Sequence, residues 1–224
     1  VDAEPTQYLA DFTSNQTSAE VFPFSIWAKL MREVISEHET DLLTNSPSGG
    51  ILSLRQAIAQ HLKDFRNLQV SPEQIIVGAG TEYLYGLLIQ LLGYDKTYGI
   101  ENPGYLKIHK IYQSNHVKSV PVELDKNGID LKSLLDNHAD ILHLSPSHHF
   151  PTGIVTPISR RYELLGWASE DDDRYIIEDD YDSEFRLNGK PIPTLKSIDV
   201  MNKVIYMTLF TKSLASTIRI SYMV

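Results

Sequence analysis

Cysteine is absent from the 224 residues. That removes disulfides, thiolate nucleophiles and zinc–thiolate sites together, and it suits a reducing compartment such as the cytoplasm. No apolar run approaches the ~20 residues that a membrane-spanning helix needs. The acidic, polar start at residues 1–6 has none of the regions of a signal peptide. Positive charge is the scarcer sign, with 20 Lys and Arg against 29 Asp and Glu for a net −9. A nucleic-acid surface requires a basic patch, so this segment itself is not expected to touch DNA. Internal repeats and low-complexity stretches are also missing. The first residue is not Met, and residues 218–224 read as a strand with no turn after it. The natural polypeptide is therefore expected to continue at both ends.

What is present is an ordinary globular composition, 42% hydrophobic and 22% charged, enough for a sizeable core. Residues 1–20 read as an irregular arm. Ile26, Trp27, Leu30, Met31, Val34 and Ile35 recur at helical spacing and predict a helix over 25–38. The arm and this helix are assigned to an N-terminal portion, residues 1–45. Ser46-Pro47-Ser48-Gly49-Gly50 reads as a loop, and Leu54, Ile58, Leu62 and Phe65 mark a second amphipathic helix.

From there strands and helices alternate. Strands are expected at 75–77, 97–100, 116–124, 140–144, 175–178, 204–207 and 218–224. Helices are expected after Gly80 to about Leu92, over 105–115, from an Asp130 cap to Leu135, and from Pro157 to about Ser169, where proline at the first turn costs no hydrogen bond. Such alternation predicts an α/β domain over residues 46–224, with helices on both faces of a mostly parallel sheet. Ligands of such sheets lie beyond the carboxyl ends of the strands, so the chemistry is sought there.

Three strand-end segments carry it. Gly78-Ala79-Gly80-Thr81-Glu82 follows a strand and opens a helix, where glycines admit a close ligand and free N–H groups favour an anion. The dinucleotide pattern fails because Tyr83 stands where its third glycine belongs. A phosphate cradle fits better, and a capped tight turn is the bland alternative. Glu178-Asp179-Asp180-Tyr181-Asp182 ends a buried strand with four carboxylates, which is costly unless something cationic meets them. A divalent metal, a protonated heterocyclic nitrogen and a solvated acidic loop all answer to that description. Phe210-Thr211-Lys212 places an amine just past another strand. In a partly dry pocket a lysine loses its proton and attacks a carbonyl, whereas a lone lysine is ordinarily a surface group. Arg219 follows, able to meet a phosphate or brace a loop. His143, His148 and His149 match no standard metal-ligand spacing, and no metal is assigned.

Together these segments supply a phosphate cradle, a carboxylate, a phenol, an amine and an arginine, the set that pyridoxal-phosphate (PLP) chemistry requires. Glu101-Asn102-Pro103-Gly104-Tyr105, Pro146-Ser147-His148-His149-Phe150-Pro151-Thr152-Gly153, the run Ile176-Ile177-Glu178-Asp179-Asp180-Tyr181-Asp182-Ser183-Glu184-Phe185, and Phe210-Thr211-Lys212 resemble fold-type I aminotransferases. More narrowly, they resemble the effector domains of MocR/GabR-type regulators of the GntR family, from about Phe22 to Val224. The resemblance implies a three-layer α/β/α large domain whose C-terminal small domain lies outside this chain. It implies a homodimer that reaches DNA only through an N-terminal helix-turn-helix, also outside this chain, and an amine or amino-acid ligand.

It also implies residue roles. Lys212 would form the Schiff base and Asp179 would keep the pyridine nitrogen protonated. A charge pair near 4 Å at an effective dielectric of about 20 is worth roughly 4 kcal/mol gross. Tyr181 would bond the ring oxygen and Tyr105 would stack on the ring. Gly80, Thr81, Glu82, Thr211 and Arg219 would surround the phosphate, and Lys107 would meet a ligand carboxylate. Departures from ordinary aminotransferases are Phe150 before Pro-Thr-Gly, Tyr181 two rather than three residues after Asp179, Leu209 in place of a hydroxyl three before Lys212, an acidic Glu82 beside the phosphate, and Lys107 where a relative has arginine. Two other functions remain open beside the sensor domain: a free-standing aminotransferase acting on amino acids, and a dimerisation module that has lost its cofactor.

Overall fold

The structure, a computed structural model, describes residues 20–182, 192–210, 214–215 and 217–224. In chain order its helices are α1 (Phe24–Glu37), α2 (Glu39–Leu42), α3 (Leu52–Arg66), α4 (Thr81–Leu92), α5 (Leu106–Ser114), α6 (Leu131–Asp136), α7 (Ile158–Ser169) and α8 (Leu195–Ile198). Its strands are β1 (Ile76–Gly78), β2 (Thr97–Asn102), β3 (Lys118–Asp125), β4 (Gly128–Ile129), β5 (Ile141–Leu144), β6 (Tyr175–Asp179), β7 (Val204–Leu209) and β8 (Ser221–Met223). They form one sheet in the order β1-β8-β7-β6-β5-β2-β3-β4.

Both faces of that sheet are covered, as its side-chain alternation requires. Ile141 of β5 and Ile177 of β6 join Leu84, Tyr85 and Leu88 of α4 and Tyr112 of α5 in one core cluster. Their neighbours Leu142, Leu144 and Ile176 join Leu134 of α6 and Leu164 and Trp167 of α7 in the opposite one. A third cluster seats Ile58 and Leu62 of α3 against Tyr206 of β7 and Tyr222 of β8. The three-layer α/β/α reading therefore holds. Burial is strongest in the middle of the sheet, where all four residues of β5 are inaccessible, as expected for a strand covered on both faces.

The central pairs β3/β2, β2/β5, β5/β6 and β6/β7 are parallel. The flank is not, because β8 runs antiparallel between β1 and β7. The cause is the connection over 210–220, shorter than the dozen or more residues a parallel crossover needs. The strand expected over 218–224 is confined to β8, and the short hairpin strand β4 was not anticipated. At the N-terminal side, α1 has no buried residue. Its apolar stripe is open, with Ile26 59% and Leu30 49% exposed.

This topology fixes where a ligand belongs. From β2 the chain passes to β3 on one side, and the later strands β5, β6 and β7 line up on the other. The order reverses between β2 and β5, and the crevice at the carboxyl ends of those strands is the expected binding place. Glu101 and Asn102 end β2, Ser145 follows β5, and Asp179 ends β6.

Candidate active site

Each of the four carboxylates at the end of β6 meets a different environment. Glu178 is fully buried. It accepts the backbone N–H groups of Leu195 and Lys196 at 2.9 Å and lies 3.5 Å from the buried guanidinium of Arg161. Burial pushes its pKa up to about 7, raised further by Asp180 and opposed by those N–H donors and Arg161. Asp180 is ion-paired with Arg66 of α3 and accepts the Tyr206 hydroxyl at 2.6 Å. Burial works against the charge of Arg66, but Asp180 and Tyr206 outweigh it and lift the guanidinium above its ordinary value. Asp182 pairs with the His148 ring.

Asp179 differs. One oxygen, Oδ2, accepts the Tyr85 hydroxyl at 2.8 Å and lies 3.8 Å from His143 Nε2. The other, Oδ1, is buried without a partner among the described residues. No arginine or lysine among them pairs with Asp179. A buried oxygen left unpaired costs on the order of 1–3 kcal/mol, more when charged, so a missing donor belongs there. A protonated heterocyclic nitrogen is a donor of that kind, so the carboxylate fits the pyridine end of PLP.

The phosphate end fits at α4. Gly80 precedes that helix with φ +101°, a region that favours glycine. A Cβ there would come within 2.7 Å of Arg219 Nη2, so the arginine lies directly over the bare backbone. An arginine beside a helix N-terminus is a setting for a dianion. Thr81 and Glu82 are the first two residues of α4. The Glu82 carboxylate is taken up by Lys107 of α5 at 3.2 Å, both side chains about half exposed. The Glu82 charge is thus offset by a lysine, and Lys107 already has an acidic partner.

Tyr105 stands just before α5, 55% exposed, with its ring edge-on to Phe150 at 6.2 Å. Gly104 before it is obligatory, since a Cβ there would collide with the Glu101 carbonyl. Tyr181 donates to the His148 carbonyl at 2.8 Å. Burial, with Asp182, Asp179, Glu101 and Asp180 adding to it, pushes that phenol up to about 12, so it stays a donor at neutral pH. Glu101 accepts the Ser145 N–H at 3.0 Å and lies 3.6 Å from His149 Nε2. Burial pushes Glu101 up to about 8 against that N–H, with Asp179 adding to the rise.

Lys212 and Thr211 lie outside the described residues, as do Ser183, Glu184 and Phe185 and nearly all of the N-terminal arm. The structure thus brings Asp179, Tyr181, Tyr105, the Glu82–Lys107 pair and the Gly80–Arg219 cradle to the carboxyl ends of the strands. Sequence reasoning missed Tyr85, Tyr112, Glu101, Arg66 and Arg161. Arg161 was findable, because it recurs with Leu164 and Ala168 on the apolar face of α7, where a cation calls for a buried acid.

A doubly covered, mostly parallel sheet with an acid-and-arginine crevice defines the class, and comparison with known proteins agrees. The family Aminotransferase class I and II matches residues 9–217, and the chain belongs to it. The cofactor that this family implies is pyridoxal phosphate. The chain is 38% identical over 223 residues to the uncharacterized HTH-type transcriptional regulator YdeL of Bacillus subtilis, covering 100% of this chain and 48% of that protein. It is 34% identical over 200 residues to the HTH-type pyridoxine biosynthesis transcriptional regulator PdxR of Corynebacterium glutamicum, covering 89% and 43%. Among solved structures it resembles an archaeal alanine:glyoxylate aminotransferase, with TM-score 0.84, 26% identity, and coverage of 94% of this chain and 54% of that one. The chain spans about half the length of the relatives it matches. No helix among the described residues is long and apolar enough to cross a membrane.

Proposed function

We propose that this chain is the PLP-binding, ligand-sensing part of a MocR/GabR-type transcription regulator, a cytoplasmic homodimer that binds DNA through a helix-turn-helix outside this chain. The carrying observation is Asp179, which alone among the four acids combines an unpaired buried oxygen with no arginine or lysine partner among the described residues. The relatives named as HTH-type regulators favour a sensor over an enzyme. The open apolar stripe of α1 supports a second copy as its cover.

In this reading Asp179 holds the proton on the ring nitrogen, and Arg219 with the first turn of α4 (Gly80, Thr81 and the Glu82 backbone) holds the phosphate. Tyr105 would lie against the ring, Tyr181 would turn its one O–H from the His148 carbonyl to the ring oxygen, and Thr211 would offer its hydroxyl to the phosphate. Lys212 would hold the cofactor through its aldehyde group, the place at which a ligand amine would compete with it. PLP, when bound, supplies the electron sink for chemistry at the carbon bearing that amine. Lys107 meets a ligand carboxylate in competition with Glu82. An exposed pair of this kind is worth about 0–1 kcal/mol, so displacing Glu82 is cheap.

The test uses the full-length protein loaded with PLP and challenged with a panel of amines and amino acids. A change in the visible spectrum at one equivalent, without sustained turnover in the presence of a 2-oxo acid, is the expected result. Rapid multiple turnover would make the protein a free-standing aminotransferase instead, and no uptake of PLP would favour a dimerisation module.

A further inference from the structure

The geometry points to Tyr85 as the positioning residue that aims Asp179 at the ring nitrogen, which rests on the reading of Asp179 given above. Tyr85 is 4% exposed and donates its hydroxyl to Asp179 Oδ2 at 2.8 Å. Its ring is held from two sides, packing on His143 with centroids 5.1 Å apart and on Tyr112 at 6.4 Å. Tyr112 in turn bonds His143 Nδ1 at 2.8 Å. A ring clamped in this way fixes where its hydroxyl oxygen sits, and a carboxylate held through one oxygen is restricted in where it turns the other. Oδ2 is engaged, so Oδ1 is the oxygen offered to the cofactor.

The position of Tyr85 in the chain adds a second consequence. It stands four residues after Thr81 on α4, and residues so spaced share one helix face about 6 Å apart. The Thr81 side chain interacts with the same phenol. One rigid helix therefore carries the phosphate cradle at its first turn and the support of the ring carboxylate one turn later. The spacing between the two ends of the cofactor site is set by the pitch of α4 rather than by a loop. Tyr85 would act on the cofactor through Asp179.

The experiment compares full-length wild type, Tyr85→Phe, Asp179→Ala and Tyr98→Phe, each loaded with PLP carrying 15N at the ring nitrogen. Tyr98 is the control, a buried tyrosine of the same cluster whose hydroxyl bonds the Gly93 carbonyl and not Asp179. A hydrogen bond to a charged group is worth enough that its loss weakens PLP binding by about tenfold or more. Tyr85→Phe is expected to show that loss and to move the 15N signal toward its position in Asp179→Ala, while Tyr98→Phe leaves both unchanged. If Tyr85→Phe does not fold, 3-fluorotyrosine placed at position 85 alone keeps the ring and makes the phenol a stronger donor. It is expected to move the same 15N signal without unfolding the protein. Wild-type affinity and an unmoved signal in Tyr85→Phe, or an unmoved signal in the fluorinated protein, would overturn the assignment of Tyr85 alone if Asp179→Ala remains impaired. If Asp179→Ala also behaves as wild type, or wild type takes up no PLP, the reading of the site falls and Tyr85 falls with it.

Discussion

Replacing Asp179 with alanine is expected to weaken PLP binding on the order of 100-fold, because truncating one partner of a buried charge pair costs about 2–5 kcal/mol. The carboxylate is already desolvated in the structure, with Tyr85 on Oδ2 and nothing described on Oδ1. The cost of burying it is therefore carried by the fold, and a ring nitrogen bonded to Oδ1 would offset it. The variant should also lose reactivity toward amines, since an unprotonated ring is a poorer electron sink. PLP titration by absorbance, followed by addition of a reactive amine, reads both effects. Asp179→Asn keeps the shape and loses the charge, so it should share most of the defect. Unchanged affinity and amine reactivity in both variants would remove Asp179 from the site.

The second large effect is on stability. Arg66→Ala leaves Asp180, whose side chain is inaccessible, as a buried charge supported among the described residues by the Tyr206 hydroxyl. Breaking a buried pair from one side costs about 3–5 kcal/mol. At about 2–4 °C per kcal/mol for a domain of this size, the melting temperature should fall by roughly 6–20 °C. The double variant Arg66→Met, Asp180→Leu should recover much of that loss, because an apolar pair of similar volume replaces two desolvated charges. Thermal unfolding followed by circular dichroism distinguishes the two. A shift under about 2 °C in Arg66→Ala would show that water reaches Asp180. Arg66 also donates to the Ser147 hydroxyl at 3.1 Å, so the single variant should loosen the loop that presents the His148 carbonyl to Tyr181.

Much of this was legible in the residues. Strand and helix periodicity gave the alternating order, and strand-end motifs marked Asp179, Tyr181, Gly80 and Arg219 as neighbours. Periodicity carries no strand direction, however. The antiparallel β8 became visible only once the short 210–220 connection was seen to join adjacent strands. The acidic run was legible as a problem, four carboxylates needing cations, but not as a solution. Arg66 lies more than a hundred residues before Asp180, and Arg161 lies on another helix. Tyr85 was hidden for a similar reason. As a core aromatic on an apolar helix face it reads as packing, and its hydroxyl acquires meaning only when β6 is seen to end beside it. His143 was weighed only as a metal ligand, whereas its ring packs against Tyr85 and its Nδ1 is taken by Tyr112.

The proposed site binds PLP through Lys212. The most direct test is borohydride reduction of the full-length protein with PLP, followed by digestion and mapping of the modified peptide. A single phosphopyridoxyl group on Lys212, absent from Lys212→Ala, is the expected result. A group on another lysine, trapping that persists in Lys212→Ala, or no trapping at all would contradict it.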